Sequence, residues 1–327
     1  MQKYKELAKN KNETALFKPF FNYFSPPFPN YCSNFGNDMK LAIFGNNHQH
    51  QYIGRIADLF SFLRQQGIDF AVQHTFASYI KSQMPDIQPF DSFDDHCVPQ
   101  ADAALSIGGD GTMLHTAYWI AGAAIPVMGL NTGHLGYLTA AGIDEAEEMV
   151  TRLLNADYKI EERTLLQVET SFDKAIDRPF ALNEVAILRQ DTSSMISMQT
   201  AINGTHLTTY KGDGLVICTP TGSTAYNMSV GGPILEPTAS CMVLSPISPH
   251  SLNMRPLVIR NDSTITVSTQ SRASNYQVSI DGRLIQCPNG STVTVRKAPF
   301  TVRILQKSTH DFAHTLRLKL MWGTDRR

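Results

Sequence analysis

The sequence predicts an α/β half built on a parallel sheet, followed by a half of mostly antiparallel β, and three observations lead there. Apolar runs alternate with helix-forming stretches from Leu41 to about Leu138, the succession that makes parallel sheets. Beyond Arg163 the period shortens to brief segments rich in Val, Ile, Leu and Thr. Those segments are punctuated by Asn203-Gly204 and Asp281-Gly282, dipeptides favoured in tight hairpins. At 327 residues, 42% of them hydrophobic, the chain is long for one core, so two domains are expected.

The elements follow in order. A strand over 41–44 leads to a helix over about 52–66 and a strand over 69–72. A further strand over 103–107 leads to a helix over about 112–122 and a strand over 125–130. Asp144 supplies an N-cap, and Glu145, Glu147 and Glu148 put acids in the first turn of a helix running to about Leu154, where negative charge meets the positive end of the helix dipole. The β-rich stretch comes next. A last segment, 312–321, regains helical character. Residues 1–38 are aromatic and proline-rich around 17–31 and lack the apolar core of a signal peptide, so they read as an unstructured arm. Met39 then enters the first strand directly, and translation is expected to begin there in the natural protein.

Composition narrows the function. With 28 Lys and Arg against 29 Asp and Glu, no overall basic field exists to attract nucleic acid or an anionic membrane. No apolar run approaches the roughly 18 residues of a membrane span. The cysteines, Cys32, Cys97, Cys218, Cys241 and Cys287, are odd in number and dispersed, which fits neither a zinc site nor a disulfide scaffold and points to a reducing cytoplasm. No metal-ligating cluster is predicted.

The most informative feature is Gly108-Gly109-Asp110-Gly111-Thr112, set between the apolar run 103–107 and a helix. Glycines let backbone N–H groups approach a polyphosphate, and the following helix adds positive charge. A carboxylate in such a turn repels phosphate, so Asp110 makes sense as an acceptor of a proton from an attacking hydroxyl or as a contact made through a metal ion. An ordinary Asp-Gly turn closing a strand is the alternative.

Three further elements accompany it. Asn183-Glu184 is a polar pair between the apolar Leu182 and Val185; it either meets a ligand or is an exposed strand end. In Lys211-Gly212-Asp213-Gly214, Lys can neutralise phosphate and Asp can accept ribose hydroxyl protons, or the run is a polar hairpin loop. The stretch Thr219-Pro220-Thr221-Gly222-Ser223-Thr224-Ala225-Tyr226-Asn227 carries enough hydroxyls and amides to wrap a nucleotide. The turn after the first strand, Gly45-Asn46-Asn47-His48, lacks the G-x-G-x-x-G of a Rossmann dehydrogenase.

Together these motifs resemble the NAD kinase family, which phosphorylates the adenosine ribose of NAD to make NADP. Gly231-Gly232-Pro233-Ile234, Pro249-His250-Ser251-Leu252 and Arg255-Pro256-Leu257 also match, and coverage runs from about Met39 to the C-terminus. The resemblance implies an α/β domain over 39–162 plus 301–327, a β-sandwich-like NAD-binding domain over 163–300, and a C-terminal tail that returns to the first. By position, Asp110 is the expected proton acceptor for the ribose 2′-hydroxyl. The turn Gly108, Gly109, Gly111 and Thr112 would hold the donor phosphates. NAD is expected against Asp110, Gly111, His115, Asn183, Glu184, Lys211, Asp213 and the run Thr224, Ala225, Tyr226, Asn227, Met228 and Ser229. The resemblance also implies ATP as donor, a divalent ion, Mg2+, on its phosphates, and a homo-oligomer. Lys211 stands where relatives often carry Arg, which keeps the charge and loses the planar fork. Two rival readings remain at this point, a lipid or sugar kinase sharing the glycine turn and a non-catalytic dinucleotide sensor.

Overall fold

The computed structural model describes residues 39–323, except 96, 98–99, 134–135, 173–175 and 191–194. The expected N-terminal arm therefore lies outside the described residues. The α/β half opens with β1 (Lys40–Gly45), α1 (Ile53–Gln65), β2 (Asp69–Gln73), α2 (His74–Gln83) and β3 (Asp91–Phe93). It continues with β4 (Ala103–Ile107), α3 (Asp110–Ile120), β5 (Val127–Asn131), β6 (Ala141–Gly142) and α4 (Ala146–Leu154). Each of β1 to β6 pairs with its neighbours in parallel, in the order β6-β5-β4-β1-β2-β3. The chain thus builds outward from β1 through β2 and β3, then crosses to the other side of β1 for β4. The reversal falls between β1 and β4, and in open α/β sheets such a switch point leaves a crevice beyond the carboxyl ends of the strands.

Burial follows the amphipathic pattern. Ile56, Leu59, Phe60 and Leu63 of α1 and Met149, Val150 and Leu153 of α4 cover one face of the sheet, packed with Leu41, Ile43 and Leu105. Met113, Ala117 and Ile120 of α3 cover the other with Ala42, Phe44, Ala104 and Val127. Two elements of this half, α2 and β3, carry too few periodic apolar residues to be read from sequence: α2 buries only Phe76, Ala77 and Ile80.

The β-rich half contains β7 (Tyr158–Thr170), β8 (Phe180–Ala181), β9 (Glu184–Arg189), β10 (Ile196–Ile202), β11 (Thr205–Gly212) and β12 (Gly214–Cys218). A one-turn helix, α5 (Tyr226–Ser229), precedes β13 (Cys241–Ile247), β14 (Leu257–Arg260), β15 (Ile265–Gln270), β16 (Asn275–Ile280), β17 (Arg283–Pro288) and β18 (Thr292–Lys307), and α6 (Phe312–Leu320) closes the chain. A six-stranded antiparallel sheet, β14-β13-β12-β9-β16-β17, faces strands of the larger sheet. Val185, Ile187 and Ile217 from the first meet Ile196, Met198, Val267 and Val295 from the second in one core, a sandwich. The larger sheet is continuous across both halves because the long strand β18 pairs with β15 and β7 antiparallel and meets β5 in parallel at Ile304 and Val127. Both Asn203 and Asp281 sit at hairpin tips with positive φ, 51° and 46°, as the Asn-Gly and Asp-Gly dipeptides require.

Asp311 caps the start of α6, its side chain accepting from the Ala313 N–H at 3.1 Å. Its Lys319 Nζ donates to the Thr139 carbonyl at 3.4 Å, so the tail does return to the α/β half. No helix among the described residues is long and apolar enough to cross a membrane.

Candidate active site

The glycine turn lies at the switch point. Gly108 has φ +150°, and a Cβ there would overlap the Thr112 side chain, so only glycine lets β4 fold tightly into α3. The helix starts at Asp110, two residues earlier than its sequence suggested, because Gly109 is extended and its carbonyl accepts from Thr112 and Met113 N–H at 3.0 and 3.1 Å. The first N–H groups of α3 lack partners within the helix and add positive character at its N-terminus.

A cavity of about 560 Å³ opens here, lined by Gly45, Asn46, Asn47 and His48 after β1, by Gly109, Gly111, Thr112, His115 and Trp119 from the turn and α3, and by Gln73, Thr75 and Asp95. Asn46 ties the two strand ends together. Its Nδ2 donates to Thr112 Oγ1 at 2.6 Å and its Oδ1 accepts from the His48 N–H at 2.9 Å. Thr75 N–H donates to Asp95 Oδ1 at 3.1 Å across the cavity wall. His115 accepts from Trp119 Nε1 at 3.0 Å through Nε2, and burial pushes its imidazolium down in pKa despite the attraction of Asp95. It therefore presents a neutral ring with its hydrogen assigned to Nδ1.

Asp110 does not point freely into this space. Its Oδ2 accepts from the Tyr137 N–H at 2.7 Å and its Oδ1 from the Leu138 N–H at 3.0 Å. The approach depends on Gly136, where a Cβ would overlap the Asp110 carboxylate. Gly136 went unremarked in the sequence because nothing local marks it as the partner of a residue 26 positions earlier.

The second cluster is built on β9. Asn183 is 8% exposed, and its Oδ1 has no partner; Glu184 Oε2 is likewise buried and unpartnered. Burial first and the neighbouring Asp281 carboxylate second push Glu184 up to about 7, opposed by the backbone N–H of Tyr226. Asp281 holds this segment in place: its carboxylate accepts from the N–H groups of Leu182, Asn183 and Glu184 at 2.6, 2.9 and 2.9 Å. The sequence marks Asp281 only as a hairpin residue. Against the same backbone lies Gly222, where a Cβ would overlap the Asn183 carbonyl.

The hydroxyl-rich loop forms a turn at 221–224 followed by α5. Thr224 and Ala225 are half-buried, Tyr226, Met228 and Ser229 are exposed, and the Tyr226 backbone N–H donates to the Glu184 carboxylate. Asn227 faces the other way. It is fully buried, its Nδ2 donates to the Ser223 and Pro233 carbonyls at 3.2 and 3.0 Å, and its Oδ1 accepts from Ser245 Oγ at 2.6 Å. Lys211 is exposed at the end of β11, and Asp213 pairs with Arg189 at 3.1 Å. Arg163, on β7, is 3% exposed, forms an ion pair with Glu161 and reaches Thr221 Oγ1 at 3.4 Å; sequence reading treated it only as the point where the period changes.

Fold and site together describe a phosphotransferase scaffold, a glycine turn at a parallel-sheet switch point joined to a β-rich half with unpartnered buried acceptors. Two family descriptions match the chain, the ATP-NAD kinase N-terminal domain over residues 41–158 and the ATP-NAD kinase C-terminal domain over 182–307. An NAD kinase of Bacteroides fragilis is 44% identical over 290 residues, 88% of this chain and 100% of that protein. An NAD kinase of Porphyromonas gingivalis is 42% identical over 289 residues, 87% and 98% of the two chains. Among solved structures, yeast NADH kinase complexed with NADH shares the fold at a TM-score of 0.80 and 23% identity, covering 89% of each chain. An NAD kinase from Archaeoglobus fulgidus in complex with ATP gives a TM-score of 0.64 at 23% identity, over 85% of this chain and 99% of that one. The chain belongs to the ATP-NAD kinase family. That membership sets aside the lipid-kinase and sugar-kinase readings.

Proposed function

We propose that this chain transfers the γ-phosphoryl group of ATP to the 2′-hydroxyl of the adenosine ribose of NAD, giving NADP and ADP. The observation that carries the reading is the pair of unpartnered buried acceptors, Asn183 Oδ1 and Glu184 Oε2, beside a second site whose glycine turn and helix start suit phosphate. Buried acceptors without donors are costly in the free protein. NAD supplies hydroxyl and amino hydrogens to both.

In this reading ATP phosphates occupy the cavity at the ends of β1 and β4. The ribose 2′-oxygen attacks the γ-phosphorus, the bond from that phosphorus to the bridging β-γ oxygen breaks, and the hydroxyl proton passes to Asp110. An ordinary ribose hydroxyl is a poor nucleophile, so proton removal accompanies attack, and alignment with charge neutralisation carries most of the acceleration. Removing a general base is worth about 10²–10⁴ in rate. Among the described residues no three His, Cys, Asp or Glu side chains cluster as a cation cage, and one carboxylate, Asp95, is on the cavity wall. That is the protein share usual for a Mg2+ ion that travels on phosphates, whose charge the ion spreads when bound. His115 offers Nδ1–H to an oxygen of the substrates, and Gly111, Thr224, Ala225, Tyr226, Met228 and Ser229 enclose NAD. Lys211 meets a phosphate from the rim. Asp213 approaches the ribose only on leaving Arg189, and Asn227 serves by fixing the loop rather than by touching the ligand. We further place the protein in the cytoplasm as a homo-oligomer whose α/β and β-rich domains share the larger sheet through β18; the free state of Cys97, Cys218, Cys241 and Cys287 fits a reducing compartment.

The test incubates purified protein with NAD, Mg2+ and either ATP or inorganic polyphosphate and reads NADP with an NADP-dependent dehydrogenase. NADP with ATP supports the reading. NADP with polyphosphate alone corrects the donor, and NAD binding without NADP from either favours the sensor.

A further inference from the structure

The C-terminal helix brings a charged group to Asp110 that the glycine turn and the β-rich loops do not account for. Lys319 of α6 donates to the Thr139 carbonyl at 3.4 Å, and its ammonium stands 5.5 Å from the centre of the Tyr137 ring. Tyr137 and Leu138 are the residues whose N–H groups hold the Asp110 carboxylate. One lysine therefore touches both sides of the segment that grips Asp110. Among the described residues it forms no salt bridge, although it is half-buried. A half-buried ammonium without a contact anion is costly to the free protein, and a transferring phosphoryl group beside Asp110 would supply that anion.

We propose that Lys319 is a positioning residue for phosphoryl transfer: it pins the 136–139 segment onto Asp110 and sets a positive charge beside the carboxylate at the point of transfer. The inference rests on Asp110 as the proton acceptor. The charged groups around Lys319 come from several elements. Asp110 of α3 attracts the ammonium, Arg163 of β7 repels it, and the His310 imidazole ahead of α6 lies in its field. Glu161 of β7 is already paired with Arg163 and Lys159. On balance burial prevails and pushes the lysine down to about 8, so it holds its proton at neutral pH and loses it in a range where kinetics are measurable.

The experiment compares wild type with Lys319→Met and Lys319→Arg in the full chain. Turnover is followed from pH 6.5 to 9.5, and KM is taken for NAD and ATP. The proposal expects the Met variant to lose at least about tenfold in kcat with KM for NAD unchanged, since a small misplacement at the reacting centre is costly. Wild-type kcat should fall as pH rises through about 8; the Met variant should lack that limb, and the Arg variant should recover most of kcat and move the limb out of range. A Met variant with wild-type kcat, or with the alkaline limb intact, overturns it. Hydrogen exchange at the Tyr137 and Leu138 amides reads the clamp without turnover. Faster exchange in Lys319→Met with global stability retained supports the role, and unchanged exchange overturns it. If wild type makes no NADP, the functional reading has failed, and the exchange result still decides whether the clamp exists.

Discussion

The two halves of the site treat their carboxylates in opposite ways. Asp110 is satisfied before any substrate arrives, each oxygen taking one backbone N–H from the segment that Gly136 admits. Glu184 is left short, with Oε2 buried and unpartnered, next to an equally unpartnered Asn183 Oδ1. The first arrangement fixes a group in space at little cost, which suits chemistry that depends on alignment. The second leaves unmet hydrogen-bonding demand inside the protein, and only a ligand with matching donors relieves it. The contrast teaches where turnover and where affinity should respond to change.

The largest effect is expected at Gly136. Gly136→Ala forces a Cβ into the Asp110 carboxylate, so kcat should fall by about 100-fold or more while NAD affinity is kept; undiminished kcat would break the first half of the comparison. Next comes Glu184. Its folded value, about 7, lies above the ordinary 4.5, so the free protein loses stability as pH rises across that interval, where the unfolded chain ionises first. NAD, giving a hydrogen to the ionised carboxylate, should bind more tightly at pH 8 than at pH 6. Glu184→Gln should abolish both trends and weaken NAD binding by about tenfold at pH 8, the scale of one hydrogen bond to a charged group, read by calorimetric titration and urea unfolding.

A pair of asparagines sharpens the same point. Asn227→Ala strips partners from Ser245 and from two carbonyls and should cost about 2–4 kcal/mol of stability. Asn183→Ala removes an acceptor that had no partner and should leave stability intact while weakening NAD binding. Equal effects on stability would contradict the distinction. The smallest change is expected at exposed Lys211, where Lys211→Ala should lower NAD affinity by about twofold at low salt and by less at high salt.

Legibility in the sequence tracks the range of the interaction. The glycine turn could be read because Gly108 and Thr112 are in contact within one turn, and the antiparallel half because short apolar segments and the Asn203-Gly204 and Asp281-Gly282 turns mark it locally; its sandwich packing, with β12 buried throughout, was implied by the family resemblance alone. Helix α2 escaped because its polar stretch shows little period. Asp281 was legible as a hairpin residue, while its grip on the backbone of 182–184 links positions 97 to 99 residues apart. Lys319 was legible as helix only, since its contact with Thr139 spans 180 residues. Asn46 sits in a turn whose sequence served merely to exclude a dehydrogenase, because the strand order that sets it beside Thr112 has no local signature.

The central claim is that Asp110, held by its backbone clamp, takes the ribose proton. The direct measurement is NADP formation from NAD, ATP and Mg2+ by wild type and by Asp110→Asn, with NAD binding measured on both. The account predicts equal NAD affinity and a loss of about 10²–10⁴-fold in kcat for the variant. A variant that keeps more than about a tenth of wild-type kcat would contradict it.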